Sequence, residues 1–376
     1  MHKTNGFLIL LALVAVILLG FIAGKVAEPP QAAPTYTPWP TYTPRPTYTP
    51  YPTIASIALP TLWEGGFFPE TAIVKNYPHV DGSTSTKPLQ DFILCRIFEL
   101  PCNWRYSLGY EKRVQIISNS PDHTYYFSVP DGMLPNIVHH GTHDAYVNLI
   151  NGNADFILVA RLPSADELEE AKAKDVTLDA QPVALDAFVM LAHAGNPVDS
   201  ISISQIRGIY SGKLTNWLQV GGLDHPINAY QREQNSGSQE LLKTLVMGNI
   251  PTINAPEMIV YTMQGPFNAL NGGPSVFVGA GNEEGDPNGI GYSVYYYTWF
   301  IMGPLQNMKI LAVEGVKPTS NTIANRTYPL IAEVYVVIRD GEPVDAPSVL
   351  LRDWLLTKEG QYVVEESGYV PITPPQ

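Results

Sequence analysis

The chain has 376 residues, enough for two domains, and 45% of them are hydrophobic, enough to build real cores. Its formal net charge of −13 argues against nucleic acid or an anionic membrane surface as the partner, although local donors can still hold a small anion inside a cleft. Two cysteines, Cys95 and Cys102, are too few for a Cys-rich zinc site.

Residues 1–6 carry Lys3 and read as a cytoplasmic n-region. Residues 7–23 are then 17 consecutive apolar residues, between a signal h-region and a full membrane span in length. No Cys follows, which excludes a bacterial lipoprotein anchor, and no clean small-x-small cleavage site precedes Lys25. The expectation for residues 7–24 is an uncleaved signal anchor with its N-terminus inside, the alternative being a cleaved signal peptide. Both place the remainder on the extracytoplasmic side.

Residues 25–53 form a linker rich in Pro, Thr and Tyr. Residues 35–40, 41–46 and 47–52 repeat with a strict period of six. Proline at this density removes backbone donors and fixes φ, which favours polyproline II. At about 3.1 Å per residue the repeats reach roughly 55 Å, a stalk that would hold a domain clear of a surface.

The folded region follows. Apolar strand patterns at 155–160, 187–192, 289–293 and 333–338 alternate with helical patterns at 88–98, 145–151, 165–174, 204–210, 239–246 and 347–357. That alternation argues an α/β fold. The aromatic run 295–300 reads as packing rather than as a ligand platform. The acidic helix 166–174 reads as a solvated face with Glu170 and Lys174 as an i,i+4 pair.

Three turns rich in Gly and hydroxyl residues each open a helix. The first holds Gly82, Ser83, Thr84, Ser85 and Thr86, followed by Pro88 in the first helical turn. The second is Gly141 and Thr142. The third holds Arg232, Ser236, Gly237 and Ser238. A helix start presents unpaired N–H groups and the positive dipole end, so hydroxyls and an arginine beside it suit an anion. Each turn alone is equally an ordinary capped helix; three directed at one place make the stronger case for a site.

These pieces resemble the type II periplasmic binding proteins, and among them the PstS-like phosphate-binding components of ABC transporters. The resemblance rests on 81–86, on 196–200 running into 209–217, on 232–238, on 289–292, and on Gly360, Gln361 and 368–371, in the family's order. It implies two α/β lobes joined by two crossover strands: lobe 1 from 54–182 and 306–376, lobe 2 from 183–305, with passages at 187–192 and 289–293. It further implies that Ser85 and Thr86, Thr142, and Arg232 with Ser236, Gly237 and Ser238 bind the oxyanion. Ser83 and Thr84 are further candidates, and Ser238 stands where the family has Thr.

One departure matters. Family members place a carboxylate after the strand matching 155–159, where it accepts the proton of a protonated phosphate. Here those positions are Ala160 and Arg161. Discrimination against unprotonated anions such as sulfate is expected to weaken, and Arg161 adds a second cation if it reaches the cleft.

The expected function is therefore capture of a tetrahedral oxyanion, phosphate first, for ABC-type uptake, with an ABC permease as the implied partner. The alternative is a tethered sensor or interaction module on the same fold. No enzyme activity, cofactor or metal is expected. No Gly-x-Ser-x-Gly elbow occurs, and His139, His140 and His143 are interrupted by Gly141 and lack a Cys to complete a metal set. For Cys95 and Cys102, a disulfide closing the end of a helix and two buried thiols both remain open.

Overall fold

In a computed structural model, the structure describes residues 73, 76–98, 102–106, 112–116, 137–272, 285–303, 305 and 307–372. All of them belong to one compact unit, Gly65–Gln376. The expected anchor at 7–24 and linker at 25–53 lie outside the described residues. Among the described residues no helix is long and apolar enough to cross a membrane.

In chain order, β1 (Val80–Gly82) enters a single 3₁₀ turn, Thr84–Thr86, and then α1 (Lys87–Ile97), where Pro88 occupies the first turn and costs no hydrogen bond. β2 (Cys102–Tyr106) and β3 (Lys112–Ile116) pair antiparallel. α2 (Thr142–Ile150) feeds β4 (Phe156–Val159), every residue of which is buried. A strand covered on both faces has no need of alternation, which is why this one reads as a continuous apolar run. α3 (Ala165–Ala173) opens on a reciprocal cap in which Ser164 and Glu167 satisfy each other's backbone N–H groups.

β5 (Leu178–His193) is 16 residues long. β6 (Ser200–Ile201), α4 (Ile203–Tyr210), β7 (Asn228–Ala229), β8 (Gln231–Arg232) and α5 (Gly237–Leu241) follow. The helix expected at 239–246 is regular only at its start. It continues as wider π turns over Leu242–Met247, where the Thr244 hydroxyl donates to the Glu240 carbonyl at 2.8 Å and loosens the ladder. Then come β9 (Ile259–Val260), α6 (Gly265–Asn271), β10 (Gly289–Val294), a further π turn (Tyr297–Ile301), β11 (Met308–Ile310), β12 (Ala312–Val313) and α7 (Ser320–Ala324). β13 (Ile331–Arg339), α8 (Pro347–Leu355), α9 (Lys358–Glu366) and β14 (Val370–Pro371) complete the described chain.

The fold is mixed α/β. Its main sheet runs β1-β4-β13-β5-β10-β7, with β11 and β14 also on β5. β5 is the shared member and changes partner along its length. Residues up to Ala187 pair with β13, and from Phe188 onward the strand pairs with β10. The register against β13 slips where Pro182, which has no N–H to donate, faces Tyr335. The strand patterns at 187–192 and 289–293 are the second half of β5 and β10, lying antiparallel side by side.

Asp186 sits at this change of partner. It is buried, and its Oδ1 accepts from the Ala187 and Tyr296 N–H groups at 2.8 and 2.9 Å. The aromatic run packs around it as expected: Tyr296 stacks on Tyr369 with centroids 3.6 Å apart. Burial pushes the Asp186 carboxyl up to about 7, against the smaller opposing effect of the N–H groups it accepts from. A carboxyl raised in the folded state stabilises the fold most below its unfolded pKa, and that contribution is lost as pH climbs through the folded value. Unfolding free energy should therefore fall by up to about 1.4 kcal/mol per pH unit between about pH 4 and about pH 7 on account of this group. Denaturant titrations of the wild type and Asp186→Asn across that range should show the slope disappear in the variant.

Candidate functional site

β1 and β4 are parallel neighbours, so their C-terminal ends deliver their following residues to the same edge of the sheet. Ser83 follows β1, and Ala160 and Arg161 follow β4. The Ala160 N–H donates to Ser83 Oγ at 3.2 Å, and Ser83 Oγ lies 2.8 Å from Thr142 Oγ1. Thr142 arrives there because the Gly141 N–H donates to the Gly82 carbonyl at 3.1 Å. Gly141 has φ +103°, a backbone conformation that side-chain-bearing residues rarely adopt. It also leaves α2 without a side-chain cap, so the first-turn N–H groups of that helix stay open.

Asp81 braces this loop from beneath. Its buried carboxylate accepts from the N–H groups of Gly82 and His140 at 2.7 and 2.9 Å. It also accepts from Asn148 Nδ2 at 2.7 Å and meets His140 Nδ1 at 2.8 Å.

The N-terminus of α5 meets α2 at this point. A methyl placed on Gly237 would come within 2.6 Å of Thr142 Oγ1, so no side chain fits between the two helix starts. Ser236 caps α5, accepting from the Gln239 N–H at 3.3 Å. Asn235 just before it takes φ +68° and is held from the far side. Arg161 Nη2 donates to its carbonyl at 3.0 Å, and its own Nδ2 donates to Asp166 at 3.3 Å.

Arg161 reaches the turn before α5, but not as a free cation. Nη1 and Nη2 each donate to Glu167 at 2.7 Å, and both side chains are almost wholly shielded. Glu167 also accepts from the Ser164 N–H at 2.7 Å and meets His143 Nδ1 at 2.9 Å. Burial alone would raise the Glu167 carboxyl; Arg161, with the Ser164 N–H and His143, holds it below its ordinary value. The expected solvated face of α3 therefore excludes Glu167, although Glu170 and Lys174 do pair at 3.0 Å.

Arg232 is also matched by a carboxylate. Nε and Nη2 donate to the adjacent Glu233 at 3.1 and 2.7 Å, and Nε also donates to the Val260 carbonyl at 3.0 Å. Its backbone N–H donates to the Tyr292 hydroxyl at 2.8 Å, which in turn donates to Gln239. No hydrogen bond or ion pair joins Arg232 to the Ser83–Thr142 pair.

The remaining expected residues divide. Thr86 is buried, and its one hydroxyl proton is shared between the carbonyls of Ser83 and Leu158 at 2.9 and 2.8 Å, so it ties the loop to β4. Ser85 is buried, and its carbonyl accepts from the Tyr369 hydroxyl at 3.0 Å. Thr84 is exposed. Ser238 is buried with no partner for its hydroxyl, and Arg161 Nε is likewise buried without one. Each is a buried polar atom left without a protein partner, which costs free energy.

Sequence reasoning passed over Glu167, Asp81, Glu233 and Asn235. For Glu167 a signal existed: Ser164-x-x-Glu167 is a capping pattern, which places the glutamate at a helix start. Among the described residues no group of His, Cys, Asp and Glu is arranged to hold a metal ion.

A model of the PBP superfamily domain matches residues 127–356, more than half of the chain. The chain belongs to the PBP superfamily. Among curated proteins, this PBP chain is 25% identical over 227 residues to the phosphate-binding protein PstS of Borreliella burgdorferi, covering 59% of this chain and 76% of that one. It is 24% identical over 241 residues to protein SphX of Synechococcus elongatus, covering 62% and 67%. Two solved structures share its fold at 20% identity. A substrate-binding protein from Clostridium perfringens with bound phosphate gives a TM-score of 0.54 over 78% of this chain and 98% of that one. An ABC-type phosphate transport receptor from Vibrio cholerae gives 0.52 over 78% and 99%.

Removing one member of a buried ion pair strands the other, at about 3–5 kcal/mol. Glu167→Gln should lower the stability of this PBP fold by about that amount, measured by chemical denaturation, whereas Glu170→Gln should change it by less than about 0.5 kcal/mol.

Proposed function

We propose that this chain is an extracytoplasmic solute-binding protein that captures a tetrahedral oxyanion, most simply inorganic phosphate, for ABC-type uptake, and that it performs no catalysis. The observation that carries the reading is the approach of the α2 and α5 N-termini at Thr142 and Gly237; Ser238, the next residue of α5, and Arg161 also carry buried donors without a protein partner. Open N–H groups, hydroxyls and a helix dipole from each side would surround an anion with charge-assisted bonds, the strong kind in a closed site. Ser83, Thr142, Gly237, Ser238 and Arg161 are the proposed contacts. Ser85 and Thr86 shape the loop, Ser236 caps α5, and Arg232 anchors the turn through Glu233 and Val260. The names borne by the relatives in Borreliella burgdorferi, Vibrio cholerae and Clostridium perfringens support phosphate as the first ligand to test.

Two lobes, 54–182 with 306–376 and 183–305, would close over the anion by bending at β5 and β10. Residues 7–24 would tether the protein and 25–53 would act as its stalk. Cys95 is disulfide-bonded, and Cys102, the chain's other cysteine, is its proposed partner, closing the end of α1.

Calorimetry of the full-length chain with phosphate should give saturable binding to one site. No heat with any tetrahedral oxyanion would end the proposal. Gly237→Ala should weaken phosphate binding by about tenfold or more, because its methyl would push the two helix starts apart, with circular dichroism showing that the variant is still folded. Expressed in a bacterial host, the protein should remain with membranes after an alkaline wash and be released once residues 1–24 are deleted and replaced by a cleavable signal.

A further inference from the structure

We propose that Asn325 is an acceptor site for an N-linked glycan. This rests on the extracytoplasmic reading above and is independent of what the cleft binds. Asn325-Arg326-Thr327 is the chain's single Asn-x-Ser/Thr sequence. With no Pro in its middle, it is the pattern that oligosaccharide transferases read on surface loops of exported proteins.

The fold presents that sequence on a fixed base. α7 ends at Asn325, whose N–H donates to the Asn321 carbonyl at 3.0 Å. Arg326 then takes φ +56°, a left-handed turn that stops the helix. Its side chain is held as well, Nη2 donating to Glu333 Oε1 at 2.7 Å. Directly after the sequence comes Tyr328, which is buried and donates its hydroxyl to the Phe188 carbonyl at 2.9 Å. Between these anchors Asn325, Arg326 and Thr327 are all exposed.

The side chains are arranged for the chemistry. Asn325 Oδ1 accepts from the Thr327 N–H at 3.0 Å and from the Thr327 hydroxyl at 2.7 Å. Two donors fill the acceptor capacity of that oxygen and fix the plane of the carboxamide. Nδ2 makes no hydrogen bond among the described residues, so it is open to a reactant. An amide that gives up a proton carries the charge largely on its oxygen, and donors to that oxygen favour the charged form. The co-reactant is a lipid-linked oligosaccharide phosphate. The bond from Nδ2 to the anomeric carbon of its first sugar forms, and the bond from that carbon to the phosphate oxygen breaks. The electron pair leaves with the lipid phosphate, and one Nδ2 proton goes to a base of the transferase. Thr327 supplies the hydroxyl that orients the acceptor, a role that Ser can fill and Val cannot.

The test is expression of the full-length chain, with an Asn-Gly-Thr tag after Gln376, in a secretory host that transfers N-glycans. Modification of the tag reports that the chain has crossed the membrane. Gel mobility and peptide mass spectrometry are expected to show a glycan on Asn325 as well as on the tag. The Asn325 glycan should be lost in Asn325→Gln and in Thr327→Val, which keeps the side-chain shape, and retained in Thr327→Ser. A modified tag beside a bare Asn325, or a glycan that survives Thr327→Val, would overturn the proposal and leave the extracytoplasmic reading intact. A bare tag and a bare Asn325 together would remove that reading, and the proposal with it.

Discussion

Arg161 and Glu167, a guanidinium and a carboxylate buried against each other, tie the start of α3 to the turn before α5. Glu167 is fixed by the helix it caps, so Arg161 has one place to be. From there Arg161 reaches across to the Asn235 carbonyl, which sets where α5 begins. The position of Gly237 against Thr142 follows from that, and Thr142 in turn meets Ser83. A buried pair of this sort adds little net stability, because desolvation consumes most of the attraction. Its value lies in geometry: a bidentate fork tolerates little rotation, so it locates a turn that flexible polar residues would leave loose.

The same pairing determines the local charge balance. Arg161 and Arg232 are each matched by a glutamate, so neither brings an uncompensated positive charge in a chain that carries −13 overall. An anion held there would be stabilised by oriented N–H and hydroxyl dipoles fixed before it arrives. Such a site need not neutralise its ligand by a counter-ion. It is also insensitive to which oxygen of a tetrahedral ion faces which donor, and that suits a small, symmetric guest.

Much of this was legible in the sequence. β4, β10 and the second half of β5 are apolar runs, and α1 and α3 carry their start signals in Pro88 and Ser164. The turns holding Ser83, Thr142 and Gly237 were identified as helix starts, and the structure brings these three together. What the sequence could not show is which polar group each polar side chain spends itself on. Thr86 looks like a ligand hydroxyl until its proton is seen shared between two carbonyls. Arg232 reads as the main cation, and the sequence could not show that its Nε and Nη2 also meet the adjacent Glu233. The first half of β5 was hidden for a different reason. Half-buried residues and Pro182 break the apolar pattern, and pairing with β13 supplies what local propensity lacks.

Tyr369 lies on the short segment before β14, yet its hydroxyl holds the Ser85 carbonyl and its ring covers Tyr296 beside Asp186. The first site loop is thus held in part by a residue 284 positions further along the chain. Loss of the Tyr369 hydroxyl would therefore be felt at the Ser83–Thr86 loop, far away in the sequence.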